Sequence, residues 1–290
     1  MKTLFLLCIL PTLMGGCLKT EDIPSGESGD NLGREMGGEE SQQSGDHREG
    51  GENDDLYKVT WISIPQGSYL MGSSDVTDEQ PVHEVSVQGF ELSEAEITVG
   101  QYRECVELDR CTPPSAGSGC TWSATPTGKE NYPVNCIDWS QARTFAVWLG
   151  GDLPTEAQWE YAARGDEAYE YAGSNQADDV AWYVENSDET NPVKSKRANA
   201  FGLYDMSGNV REWTLDEWHE SYEGAPTSAE QPWGELSLCD DECEDSAMWH
   251  VNRGGSWYDY ASSLRVSFRY YDFSGNRDLS LGFRVAKRAE

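Results

Sequence analysis

Apolar positions recur along this chain with two different periods. Up to Phe90 they mostly alternate. Val59–Ile64 sets large residues against small ones before a Pro-Gln-Gly turn, Ser68–Gly72 resumes as an extended run, and Val82–Phe90 carries Val82, Val85 and Val87. Alternation with β-branched side chains predicts strands with one face buried. From Thr98 the period lengthens. Thr98 followed by Gln101 is a capping box, and the helix it opens puts Tyr102 and Val106 on one face. A second helix is predicted over Ser140–Leu149, where Ala142, Phe145, Ala146 and Leu149 keep helical spacing and Gly150 stops the run. A third opens on the Thr155/Gln158 capping box and ends before Gly165. It turns Trp159, Ala162 and Ala163 to the core and keeps Glu156 and Glu160 near its positive N-terminus. Beyond Gly173 the pattern predicts turns and short extended pieces, closing with a strand over Ser280–Ala286. The fold class is α+β with little regular secondary structure, and no repeat of solenoid period is present.

The first part of the chain reads differently. Lys2 followed by the apolar run Leu4–Met14 is an export signal over residues 1–16, too short to stay in a bilayer as a spanning helix. Met14-Gly15-Gly16-Cys17 resembles a bacterial lipoprotein cleavage site with Cys17 lipidated; ordinary signal cleavage, leaving Cys17 a free thiol, is the alternative. Residues 17–55 are Gly, Ser, Glu and Asp with few large apolar side chains, so they are expected to form an extended acidic linker. Residues 56–290 form the folded domain. The expected location is the bacterial cell envelope, at the outer membrane, with the lipid anchor as the membrane contact.

Charge narrows the partners. Lys and Arg number 21 against 52 Asp and Glu, a formal net charge of −31. That field repels phosphate backbones and argues against nucleic acid, while it suits cationic partners and metal ions. Its bland reading is a solvated, extracytoplasmic surface. The run Asp240–Asp245 is read in the same way, either as a solvated loop or as a cation site. The partner expected is an unknown protein or small-molecule ligand, and the chain is expected to be a monomer. Setting Cys8 and Cys17 aside, Cys105, Cys111, Cys120, Cys136, Cys239 and Cys243 are even in number, which in an exported domain argues disulfides. The pairing expected is Cys105–Cys111, Cys120–Cys136 and Cys239–Cys243, because each closes a local loop. Zinc is the competing reading, but the spacings suit it poorly and no His is close in sequence.

Three motifs carry a resemblance: Leu153–Gly165 (LPTEAQWEYAARG), Gly202–Trp213 (GLYDMSGNVREW) and Asn252–Trp257 (NRGGSW). Together they resemble the formylglycine-generating enzymes, or sulfatase-modifying factors, over about Trp61 to Val285. The resemblance implies a loop-rich fold of C-type-lectin-like type. Active members oxidise a sulfatase cysteine through two cysteines that hold copper, with oxygen bound against a tryptophan and the serine of the RGGS motif. At those positions this chain has Asp259 and Leu264 for the cysteines, Arg211 for the tryptophan and Ser256 for the serine. A carboxylate is a hard ligand and leucine is none, so the resemblance implies that copper oxidation by the same route is lost.

Arg211, Ser256 and Asp259 therefore become pocket candidates. Arg211 and Asp259 are expected to pair, either as a plug or as part of a rebuilt ligand pocket. The resemblance also implies structural calcium, held by the carbonyls of Asp205, Gly208 and Val210 with the Glu212 carboxylate; oxygen-only ligands around a tight Gly turn suit this ion. A turn merely capped by Asn209 and Glu212 is the alternative. The leading expectation is an exported, non-catalytic binding or accessory module. The rival is a formylglycine-generating-type oxidoreductase acting on protein cysteine through a rearranged site.

Overall fold

A computed structural model describes residues 58–234 and 248–289. The signal, Cys17, the acidic linker, the Cys239–Cys243 pair and the Asp240–Asp245 run lie outside the described residues.

The N-terminal strands are β1 (Trp61–Ile64), β2 (Gly67–Met71), β3 (His83–Val87) and β4 (Phe90–Ser93). The single run expected over Val82–Phe90 is therefore two strands. Gln88 and Gly89 turn the chain so that β3 pairs with β2 while β4 pairs with β1. Strand β9 (Ala286–Arg288) adds antiparallel to the other edge of β4, bringing the C-terminal end beside the start of the domain.

Each of the three main helices starts on a full capping box. Helix α1 (Val99–Glu107) is capped by Thr98 with Gln101, α2 (Trp139–Trp148) by Asp138 with Gln141, and α3 (Glu156–Arg164) by Thr155 with Gln158. Reciprocal bonds satisfy amide groups that no helical carbonyl can reach, which fixes these start points. Gly165, at φ 60°, closes α3 in the left-handed conformation. A one-turn helix, α4 (Ala177–Val180), follows. No helix among the described residues is long and apolar enough to cross a membrane.

The stretch expected to hold only turns and short pieces contains the largest sheet. Strands β5 (Arg211–Glu217), β6 (Trp249–Arg253), β7 (Arg269–Phe273) and β8 (Leu281–Phe283) stand in the order β7-β6-β5-β8. The expected Ser280–Ala286 strand is split between β8, parallel to β5, and the start of β9. Alternation failed to reveal β5 and β6 because both faces are covered: Glu212, Trp213, Thr214, Val251, Asn252 and Arg253 are all buried.

Helix α3 packs on one face of this sheet, with Glu156 in its first turn as expected. Glu156 and Glu160 are buried. Glu156 accepts from Arg269 at 2.7 and 2.9 Å, and Glu160 pairs with Arg253 and with Arg164. Burial raises the Glu156 carboxyl, but Arg269 and Arg253 outweigh it and hold the group below its usual range. The other face meets α1 and α2 through Trp213, Phe283, Tyr102, Phe145 and Trp139. Disulfides join Cys105 of α1 to Cys111 and Cys120 to Cys136, tying the irregular chain between α1 and α2 to the first helix and to itself.

Candidate functional site

Strand β5 organises two sites, one on each face. Alternation sends Arg211 and Trp213 to one side and Glu212 to the other. On the Glu212 side the carboxylate is fully buried. It accepts from Arg284 Nε at 2.6 Å, Arg284 Nη2 at 2.7 Å and Trp159 Nε1 at 2.6 Å. Around it the loop Asp205–Val210 is held in an uncommon conformation, with Asp205 at φ 56°, Gly208 at φ 81° and Asn209 at φ 64°. Gly208 is required, since a Cβ there would stand 2.3 Å from the Trp182 carbonyl oxygen. Glu96, buried, accepts from Asn209 Nδ2 at 2.6 Å and the Val210 amide at 2.9 Å. Asp205 accepts from the Lys194 amide at 2.7 Å.

Electrostatically this region is short of positive charge. Glu96, Asp205 and Glu212 are buried and interact with one another, whereas Arg284 is the buried guanidinium among them. Burial, reinforced by Asp205 and Glu212, holds Glu96 well above the usual carboxylate range. Burial pushes Asp205 up to about 6. No three His, Cys, Asp or Glu side chains among the described residues converge as a metal cage, so a cation here would rest chiefly on main-chain oxygens.

On the Arg211 side, the structure brings all three pocket candidates together. Arg211 Nε donates to Asp259 Oδ2 at 3.1 Å, and the Ser256 hydroxyl donates to the same oxygen at 2.7 Å. Ser256 is buried and also accepts from the Tyr258 amide at 3.2 Å, so its hydroxyl is engaged both ways. Gly255 lets the loop close: a Cβ there would stand 2.6 Å from the Ser263 carbonyl oxygen and 2.5 Å from a methyl carbon of Leu264. Leu264 itself is buried with Tyr171, Ala177, Val180 and Tyr183.

Four further residues join this site that sequence reasoning missed. Arg211 reaches Asp272 at 3.4 Å and the Ser280 hydroxyl at 3.0 Å, and its guanidinium lies 4.6 Å from the centre of the Tyr270 ring. Asn252, opposite Tyr270 in the sheet, donates to Asp272 at 3.1 Å. Recognising β7 would have found Tyr270 and Asp272, two apart on one face. Burial raises the Asp272 carboxyl in spite of Arg211.

Comparison with known proteins bears on the domain as a whole. The family model for the sulfatase-modifying factor enzyme 1-like domain matches residues 51–289. Serine/threonine-protein kinase Pkn1 of Chlamydia trachomatis is 33% identical over 240 residues, covering 78% of this chain and 38% of the kinase. The chain thus spans well under half of that relative. The formylglycine-generating enzyme of Streptomyces coelicolor is 27% identical over 290 residues, covering 79% of this chain and 89% of the enzyme. Among solved structures, PvdO from Pseudomonas aeruginosa superposes with a TM-score of 0.66 at 27% identity, over 79% of this chain and 94% of PvdO. The fold is the loop-rich, C-type-lectin-like one of these enzymes.

Proposed function

The chain belongs to the sulfatase-modifying factor enzyme 1-like domain family, and from that premise we propose that it is an exported binding or accessory module that does not generate formylglycine. One observation carries this reading. The two positions that the resemblance assigns to copper cysteines hold Asp259, engaged by Arg211 and Ser256, and Leu264, sealed in an apolar cluster. These residues do not fit a soft, thiolate-seeking copper ion. The tryptophan position beside them is Arg211, whose charge is bound to two aspartates. What remains is a polar, partly exposed cluster on the sheet, which we read as a place to hold a ligand. The kinase relative carries the matching segment within a longer protein whose name describes a different activity.

Calcium is part of the same proposal. The residues around Asp205–Glu212 offer oxygen ligands to a hard divalent cation, because Glu96, Asp205 and Glu212 are buried close together with Arg284 bonded to Glu212 alone, and the loop's backbone is turned by positive φ angles. The carbonyls of Asp205, Gly208 and Val210 with the Glu212 carboxylate would hold it. Bound there, calcium would supply the missing positive charge and hold a loop that has no helix to satisfy it. At the other end of the chain, lipidation of Cys17 would place the domain at the envelope surface, spaced from it by the acidic residues 17–55.

The test is turnover. The purified protein is incubated with a sulfatase-motif cysteine peptide, oxygen, Cu(I) and a thiol reductant, beside an active family enzyme, and followed by mass spectrometry. An unchanged peptide is expected. An aldehyde product would overturn the reading in favour of an oxidoreductase with a rearranged site.

A further inference from the structure

Hydrogen bonding in the Asp205–Val210 loop is one-sided. The amide of Gly208 donates to the Gly254 carbonyl at 2.9 Å, that of Asn209 to Trp182 at 2.9 Å, and that of Arg211, just beyond, to Ser280 at 2.8 Å. The carbonyls of Asp205, Gly208 and Val210 accept no hydrogen bond among the described residues, although all three residues are buried. Buried carbonyls are nearly always paired. In a trans peptide the carbonyl points away from the N–H of its own unit, so pinning the Asn209 and Arg211 amides also sets the direction of the Gly208 and Val210 carbonyls. The loop thus offers three unfilled oxygens in the segment that leads into Glu212, the kind of ligand a hard cation takes.

Between two of these oxygens lies the peptide unit that joins Asn209 to Val210, and it is gripped from outside the loop. The Val210 N–H donates to Glu96 Oε1 at 2.9 Å, and Asn209 Nδ2 donates to Glu96 Oε2 at 2.6 Å. On its other side the carbonyl of that unit accepts from the Trp257 amide at 2.9 Å. Glu96 is buried and stands on fixed backbone: the neighbouring Ile97 donates its amide to Phe283 of β8 at 2.9 Å and accepts from the Val134 amide at 2.8 Å. It comes from the connection between β4 and α1, 114 residues before Val210. Burying a carboxylate to satisfy one amide and one side chain is costly, since a neutral acceptor would serve. A negative group there has a use if a cation shares the region.

We infer that Glu96 is the positioning residue of the calcium site: by holding Asn209 and Val210 it keeps the Gly208 and Val210 carbonyls in place to ligate the ion, without being a ligand itself. The inference rests on the calcium reading above and adds to it a residue outside the ligand segment.

Terbium(III), a luminescent stand-in for calcium, reports on this site, because the Trp159 ring donates to Glu212 at 2.6 Å and can pass excitation to a bound ion. On the full chain, the signal is tryptophan-sensitised emission that calcium displaces and that Glu212→Gln lacks. Calcium competition gives the affinity, and lifetimes in ordinary and heavy water give the number of bound waters. Asn209→Gly removes the side chain that Glu96 holds but keeps the carboxylate, and glycine accepts the φ of 64° without strain. It is expected to weaken calcium about tenfold, the loss of one charge-assisted hydrogen bond. The number of bound waters is expected to rise as a carbonyl withdraws. Glu96→Gln sets an N–H donor against one of the two donors it replaces, and is expected to do both at least as strongly. Should Glu96→Gln fail to fold, Asn209→Gly decides alone. Parent-like affinity in Asn209→Gly beside a weakened Glu96→Gln overturns the positioning role, since the carboxylate then acts by its charge or as a direct ligand. Parent-like affinity and water number in both variants overturn it too. No displaceable emission from the parent removes the calcium reading itself, and the inference with it.

Discussion

Glu212 and Arg284 meet face to face with no exposed surface on either side chain, joined by hydrogen bonds of 2.6 and 2.7 Å. They come from neighbouring parts of the structure that are far apart in sequence, β5 and the turn after β8. A buried pair of this kind adds little stability over apolar packing, yet breaking it leaves a charge in a low-dielectric interior. Arg284→Leu is therefore expected to destabilise the protein by about 3–5 kcal/mol, measured by urea unfolding. Loss of much less than that would mean that Glu212 is neutralised by another route.

Calcium provides such a route. If a cation is held at Asp205–Glu212, added calcium should raise Tm by mass action and a chelator should lower it. Glu212→Gln, which alters the one side-chain ligand, should reduce that response, and magnesium should substitute poorly because it demands tighter geometry. A Tm that ignores calcium and chelator alike would sink the calcium proposal.

Asp216 and His250 are neighbours with opposite titrations. Burial, with Glu156 nearby, pushes Asp216 up to about 7, and burial pushes His250 down to about 4. For Asp216 the folded form holds its proton more tightly, so its stabilising effect is lost as pH rises toward 7. For His250 the unfolded form holds the proton more tightly, so stability is lost as pH falls from about 6.5 toward 4. Between pH 4.5 and 6.5 the two slopes oppose each other. His250→Gln should leave the Asp216 slope uncompensated, a fall of about 1.4 kcal/mol per pH unit relative to the parent. Asp216→Asn should shift the slope the opposite way. Parallel stability-versus-pH curves for parent and variants would refute the assignment.

The Cys120–Cys136 disulfide closes a segment with no helix or strand of its own. Its double replacement by serine is expected to cost about 3 kcal/mol, the value for a loop of about that length. Calorimetric melting would measure it, and an unchanged Tm would show that packing alone holds the segment.

Helix α3 offers a smaller, local test. Thr155→Ala removes the hydroxyl that accepts from the Gln158 amide at 3.0 Å and donates to the Ala229 carbonyl at 2.6 Å. The capping loss alone is about 1 kcal/mol, and the stranded Ala229 carbonyl should add to it. A loss well below the capping value would mean that the tertiary contact re-forms with water.

Local chemistry made the N-terminal half legible. The capping boxes at Thr98 and Thr155, the stop at Gly165 and the alternation around Val85 depend on neighbours within a few residues, so the sequence states them directly. The glycines of the RGGS segment and the SGN turn are legible for a similar reason, since Gly255 and Gly208 meet close backbone approaches. The central sheet was not legible. Its inner strands, β5 and β6, are largely buried on both faces, and their charged positions, Glu212 and Arg253, look like surface residues until their partners are known.

The sequence by itself determined the family, the capped helices, the pairing of Arg211 with Asp259 and the loss of the thiolates at positions 259 and 264. Tertiary structure decided everything that depends on distant segments meeting. It put Asp272, Tyr270 and Asn252 beside Arg211, buried Glu156 and Glu160 against arginines of β6 and β7, and gathered Glu96, Asp205 and Glu212 around one Arg284. The reason is physical. A capping hydroxyl reaches its amide within one turn, whereas the cost of burying a charge is set by which partner the fold delivers to it.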